Sequence, residues 1–250
     1  MTTLPAITSG IEQQLAGIQA RIRAACIRAG RAPETVQLLL ATKTVPPENI
    51  RIAVMAGVPL LGENKVQELK QKATALQDLP IAKHFIGHLQ SNKVKEVLKY
   101  VTCIQSIDSL SIALALDKQL QATDRTLDIM VQVNTSFESS KFGVPPDQAP
   151  DFIRALKDFP QLRITGLMTI GLLDAAPEKA RPSFRLLRDL RDQVIREQLL
   201  PTDTLHLSMG MSNDLEIAIE EGATIVRVGT AIFGKRQYPD SYYWNESQGG

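Results

Sequence analysis

Apolar residues fall into two alternating rhythms along the chain. Short apolar runs recur at 36–42, 58–63, 83–89, 100–107, 127–134, 162–170, 204–210 and 224–229. The first, "VQLLLAT", is apolar almost throughout and reads as a strand buried on both faces; the others make eight strand candidates in all. Longer stretches with helical spacing lie between them, at 47–56, 64–78, 91–98, 109–122, 146–158, 177–199 and 213–221, and an eighth starts at 231. One more helix precedes the first strand, over 11–30. There Ile11, Leu15, Ile18, Ile22 and Ile27 stand near helical intervals and Gly30 supplies a stop.

Strand and helix alternating eight times in about 250 residues is the count of a single (β/α)8 TIM-type barrel with an extra N-terminal helix. A doubly wound open sheet is the competitor. It would more naturally carry a glycine-rich first turn, and neither GxGxxG nor GxxxxGK[ST] occurs. The expected organisation is an N-terminal extension over 1–10, the barrel over 11–236, and a C-terminal tail over 237–250 that lacks periodicity and is partly disordered.

Composition narrows the function classes. At 44% hydrophobic the chain can bury a sizeable core, and 28 basic against 27 acidic residues carry no signal for nucleic acid or a membrane surface. Cys26 and Cys103 are far apart and have no metal-ligand spacing, which fits a reducing compartment. No signal-like N-terminus and no long uncharged apolar stretch occurs, so a cytoplasmic protein without a membrane span is expected. No exposed apolar stripe announces an interface, so a monomer is expected.

The first strand raises a chemical question, because it runs into Lys43 and then "TVPPEN". An ammonium inside a buried strand would lose its water. Lys43 has therefore either left the core for solvent or opens into a pocket at the strand's carboxyl end, where sites form in this fold. The loops after strands 7 and 8, "HLSMGMSND" and "VRVGTAIFG", bring Ser208, Gly210, Ser212, Gly229 and Thr230 to the same end. Small and hydroxyl residues before a helix suit an anion, though they are also ordinary cap and turn residues. Closure sets strand 1 beside strand 8. Period-two alternation then puts Leu39, Ala41 and Lys43 on one face and Arg227 and Gly229 on the adjoining one. If those faces point inward, two cations share the barrel mouth and call for an anionic or electron-rich ligand. A neighbouring cation also favours the neutral amine that Schiff-base chemistry needs. Pyridoxal 5′-phosphate (PLP) fits all of this, with its phosphate at strands 7 and 8, its aldehyde at Lys43 and its ring nitrogen toward Arg227.

Longer words make the likeness specific: "ATKT" (41–44), "LLGENKVQE" (60–68), "HFIGHLQSNK" (84–93), "VNTSFESSKFG" (133–143), "GLMTI" (166–170) and "LSMGMSNDLEIAIEEGATIVRVGTAIFG" (207–234). Through them the chain resembles the pyridoxal phosphate homeostasis proteins, barrels related to the N-terminal domain of alanine racemase (PLP fold type III). The resemblance implies a Schiff base on Lys43, phosphate held by Ser208, Gly229 and Thr230, Arg227 at the pyridine nitrogen, and Asn64 and Met168 lining the pocket. The chain departs from the pattern in its longer end segments and in Gly171, where a proline often follows "LMTI"; this glycine could loosen the loop after strand 6.

The resemblance also bears on catalysis. Racemisation takes acid–base groups on both faces of the cofactor. In related racemases one of them comes from a second domain, for which few residues follow strand 8 here. The expectation is a protein that carries, buffers or delivers PLP to PLP-dependent apoenzymes and contributes to vitamin B6 and amino-acid homeostasis. A minimal PLP-dependent racemase or decarboxylase, and a Schiff-base aldolase, are the alternatives.

The remaining candidates have bland readings. His84 and His88 lie four apart in a strand-like run, where that spacing spans roughly 13 Å, so no shared metal is expected. His206 reads as a core or near-site histidine, and Cys26 and Cys103 as buried apolar fillers. Lys93, Lys95 and Lys99 read as a solvated helix face, with Ser91 and Asn92 placed to cap the helix and border the pocket. Lys141 is either a guard at the rim or a plain surface lysine, and Tyr238, Tyr242 and Tyr243 sit in a loose end.

Overall fold

Eight parallel strands close in chain order, with the last pairing back onto the first. They are β1 (Gln37–Ala41), β2 (Leu60–Glu63), β3 (Ala82–Phe85), β4 (Cys103–Ile107), β5 (Leu127–Gln132), β6 (Leu162–Met168), β7 (His206–Ser208) and β8 (Ile225–Val228). The helices are α1 (Leu4–Arg28), α2 (Pro47–Met55), α3 (Val66–Ala73), α4 (Val94–Val97) and α5 (Leu110–Gln121). They continue with α6 (Ala149–Leu156), α7 (Pro177–Arg196), α8 (Leu215–Glu220) and α9 (Thr230–Phe233). This computed structural model describes residues 4–138, 141–172, 176–200 and 206–234. The expected tail over 237–250, with its three tyrosines, lies outside the described residues.

The apolar strands serve two cores. Leu39, Leu60, Ile86, Cys103, Met130, Met168 and Ile225 point into the barrel and pack on one another. Their chain neighbours, such as Leu40, Leu61, Ile129, Val131, Val226 and Val228, point outward into a larger core shared with the helices. Both Leu39 and Leu40 are fully buried, on opposite faces of one strand. That two-sided burial is why the sequence shows apolar runs rather than alternation.

Two of the departures from the expected bounds have a clear physical reason. β3 stops at Phe85 instead of running to Leu89. The chain there passes so close to Asn64 that a Cβ on Gly87 would stand 2.0 Å from the Asn64 carbonyl oxygen. α1 begins at Leu4, so residues 4–10, expected as an extension, are its first turns. Its buried stripe is Ile11, Leu15, Ile18, Ile22 and Cys26, whereas Ile27 is 73% exposed. At about 100° per residue, position 26 continues the stripe from Ile22 and position 27 turns away. Gly30, at φ +64, ends the helix, with the Arg31 N–H closing onto the Cys26 carbonyl. Arg21 fixes α1 to the barrel. It grips the Glu216 carboxylate through Nε (2.6 Å) and Nη2 (2.9 Å), and Nη2 also donates to the Ser212 carbonyl (2.9 Å). No described helix is long and apolar enough to cross a membrane.

Candidate cofactor site

Register sets the floor of the site. Leu39 stands beside Arg227, Met168 beside Ser208, and Ser208 beside Ile225, so Arg227 and Ser208 enter the barrel just above the inner apolar cluster. Arg227 is 5% exposed. Its Nη1 donates to Ser208 Oγ (2.9 Å) and its Nη2 to the Thr169 carbonyl (2.7 Å). Ser208 Oγ in turn donates to Gln105 Oε1 (2.6 Å), and Gln105 Nε2 lies 2.8 Å from His84 Nδ1.

Proton directions along this chain follow from the inventory of each group. A guanidinium only donates, so the Ser208 proton goes to the Gln105 oxygen. The Gln105 amide nitrogen must then donate to His84 Nδ1, which leaves the imidazole proton on Nε2. Burial lowers the His84 pKa to about 4, so the ring is neutral at neutral pH, as this relay requires.

Among the described residues, no carboxylate lies within ion-pair distance of Arg227. Asp214 acts on it only through space, and burial brings its pKa down to about 10. The barrel floor thus presents a cation with hydrogen-bond partners but, among the described residues, no carboxylate paired with it, which fits an electron-rich or anionic group.

Lys43 stands two residues beyond the end of β1, at the mouth, and is 5% exposed. The solvated alternative is therefore excluded: burial holds the lysine at the carboxyl end of the barrel. Asn64 follows β2 and is 7% exposed, and Met168 closes β6 on the inner face. The loops after β7 and β8 meet, because Thr230 Oγ1 and the Ala231 N–H both donate to Ser212 Oγ (3.2 and 3.4 Å). Gly229 is the buried turn from β8 into α9. Ser208 sits deeper than this hydroxyl pair, fully buried with its hydroxyl engaged by Arg227 and Gln105.

Several other candidates acquire definite places. Lys141 ties the loop after β5 to the loop after β6, donating to the Gly171 carbonyl (2.6 Å) and to Glu138 Oε1 (2.8 Å). Gly171 is thereby anchored rather than loosened; it sits at φ +72, and its N–H donates to Thr169 Oγ1 (3.4 Å). His88 lies beyond β3 and stacks on Phe142 (3.8 Å between ring centroids). Half-buried His206 meets Thr224 Oγ1 (3.2 Å), and both cysteines are buried. Ser91 and Asn92 form a 3-10 turn with Lys93 and give no side-chain cap, a departure from the expected helix start.

The residues missed in the sequence are Gln105, Thr169 and an ion cluster of Glu63, Glu68 and Lys72. Gln105 had a signal, as a polar residue inside the apolar run "CIQSI". Thr169 contributes its carbonyl to Arg227, and no sequence pattern marks a backbone role.

The profile described as "Alanine racemase, N-terminal domain" matches residues 14–237. A pyridoxal phosphate homeostasis protein of Aquifex aeolicus is 44% identical over 226 residues, covering 90% of this chain and 98% of that protein. One from Pseudomonas aeruginosa is 44% identical over 230 residues, covering 92% and 97%. The chain belongs to the pyridoxal phosphate homeostasis protein family. The structure of PipY from Synechococcus elongatus with PLP bound superposes with a TM-score of 0.78 at 32% identity, covering 90% of this chain and all of PipY. Membership of this family accounts for the barrel and for the long word over 207–234, which spans β7, α8, β8 and α9.

Proposed function

We propose that this protein binds PLP through a reversible Schiff base on Lys43, and that it carries, buffers and delivers the cofactor rather than turning over amino acids. The observation that carries the reading is the pairing of a buried lysine at the mouth with a buried guanidinium on the floor that, among the described residues, has no carboxylate against it. When bound, PLP supplies an aldehyde that condenses with an amine and a ring able to accept electrons.

Each residue then has a task. Lys43 offers the amine at the barrel mouth above the inner apolar cluster, where reversal depends on water reaching it. Arg227 meets the ring nitrogen as a hydrogen-bond donor; as a cation that cannot accept a proton, it keeps that nitrogen unprotonated. That weakens the ring as an electron sink, which is why the proposal excludes robust racemisation or decarboxylation. Gly229 and Thr230 hold the phosphate with Ser208, whose hydroxyl must turn from Gln105 to donate to the anion, and Ser212 joins the two loops. Asn64 and Met168 line the sides. The bound PLP of PipY and the homeostasis proteins named above support the cofactor and the role. In this reading the protein acts as a cytoplasmic monomer whose partners are PLP-dependent apoenzymes, and so bears on vitamin B6 and amino-acid pools.

The test is the absorption spectrum of the purified protein with added PLP, before and after borohydride, followed by peptide mapping. A visible band that disappears on reduction and leaves a pyridoxyl group on Lys43 is expected, and Lys43→Ala should lose both while remaining folded. Thr230→Val and Ser208→Ala should each weaken retention by about 1–3 kcal/mol, as for a lost hydrogen bond to a charged group. A reducible adduct that persists in Lys43→Ala refutes the assignment of the lysine. A wild-type protein that takes up no PLP moves the reading to a Schiff-base aldolase.

A further inference from the structure

We infer that Lys72, on α3, is a positioning residue for Lys43: through one buried ion cluster it fixes the backbone on both sides of that lysine. The inference rests on the PLP reading for its functional meaning, but the cluster is a feature of the fold in its own right.

Lys72 is 9% exposed, and its three ammonium protons have three acceptors. Nζ donates to the Thr42 carbonyl (2.7 Å), to Glu63 Oε1 (2.6 Å) and to Glu68 Oε2 (2.6 Å). Thr42 is held a second time, since its Oγ1 donates to the same Glu63 oxygen (2.6 Å). On the other side of Lys43, the Thr44 N–H donates to Glu68 Oε2 (2.6 Å). Residues 42 and 44 are therefore both tied to one ammonium, directly or through a carboxylate one helical turn away.

Thr44 shows why such a clamp is needed. It adopts φ +62, a left-handed conformation that a β-branched residue disfavours and that persists only where its surroundings impose it. This turn bends the chain out of the barrel wall immediately after Lys43. The Val45 N–H closes the same turn onto the Thr42 carbonyl (3.0 Å), and the cluster reinforces it; without the cluster Thr44 is freer to relax toward extended backbone and re-aim the preceding residue.

The cluster is also built at a cost that ordinary packing would not require. Two carboxylates face one ammonium in a site that is buried at Glu63 and Lys72 and opens toward solvent only at Glu68, and Glu63 Oε2 is buried with no hydrogen-bond partner. Well-packed apolar residues could have sealed the space between α3 and the β1–β2 edge at least as well. What they could not do is hold a carbonyl on one side of Lys43 and an N–H on the other.

Three readouts on the full chain test this: amide exchange at Thr44, thermal stability, and the rate at which Lys43 is labelled by phosphate-free pyridoxal trapped with borohydride. Lys72→Met should speed Thr44 exchange and slow labelling, each by about tenfold or more, the scale of a lost charge-assisted hydrogen bond. Glu68→Ala leaves the Lys72–Glu63 pair in place. It should change the same two rates in the same directions by several-fold, with less loss of stability. Arg51→Ala, which breaks the exposed Arg51–Asp78 pair, should leave both rates unchanged. Labelling of folded Lys72→Met within about twofold of wild type, the range of an ordinary surface substitution, overturns the inference. If Lys72→Met does not fold, the same result for Glu68→Ala overturns it. Failure of the wild-type protein to be labelled by either pyridoxal or PLP would instead sink the cofactor reading, and Thr44 exchange would still report on the clamp.

Discussion

Replacing Arg227 with methionine should stabilise the protein while weakening its hold on PLP. The side chain is 5% exposed and faces no carboxylate at ion-pair distance among the described residues. Keeping it charged where burial brings its pKa down to about 10 costs about 3 kcal/mol at neutral pH. Methionine follows a similar path without a charge. The loss is confined to the partners: Ser208 Oγ keeps Gln105, and the Thr169 carbonyl loses its donor, which costs about 1–2 kcal/mol. The net gain is about 1–2 kcal/mol, or a rise in Tm of about 2–8 °C for a chain of this size.

The pH dependence has a definite sign. The folded guanidinium gives up its proton more readily than the unfolded one. The penalty is therefore fully present below about pH 10 and fades as the pH rises from there toward 12.5. The advantage of Arg227→Met should be level across neutral pH and shrink above about pH 10. Calorimetry of the two apo proteins across this range, with PLP titrated into each at neutral pH, makes the measurement. A Tm that falls by several degrees in the variant would refute the reasoning, because it would mean that the guanidinium's hydrogen bonds outweigh its desolvation.

Two further predictions concern the same region. Gly87→Ala should cost about 3 kcal/mol or more and lower the Tm by about 6–12 °C, since its Cβ would fall 2.0 Å from rigid backbone at Asn64. Gly17→Ala, on an open face of α1, should raise stability by about 0.5–1 kcal/mol, and equal effects at the two glycines would discount the close approach. His84, with its pKa lowered to about 4 by burial, makes the fold acid-sensitive. Below its unfolded value of 6.5 the unfolded chain binds a proton that the folded one refuses. Stability should then fall by at most about 3 kcal/mol between pH 6.5 and 4, and His84→Gln should flatten that slope in urea titrations.

The architecture was legible because burial on both faces leaves a mark on consecutive residues. Runs such as "QLLLA" and "LDIMVQ" have no solvent-facing side to spare for polar residues, and eight of them separated by amphipathic stretches admit few topologies. The anchor residues were legible for a related reason. Lys43 and Arg227 are charges at the ends of apolar strands, and alternation fixes which barrel face they share.

What the sequence left open depends on distance between segments. Gln105 and Ser208 are 103 residues apart and become partners when β4 and β7 face each other across the barrel. Thr169 acts through its carbonyl, and Lys72 through the backbone at Thr42, so neither role depends on a pattern of side-chain types. The sequence by itself determined the order of strands and helices and put a lysine and an arginine toward the carboxyl ends of two adjoining strands, because two-sided burial and period-two alternation act along the chain. Only the tertiary structure decided how those charges are held, because closing the barrel is what brings distant carbonyls, amides and carboxylates within hydrogen-bond reach.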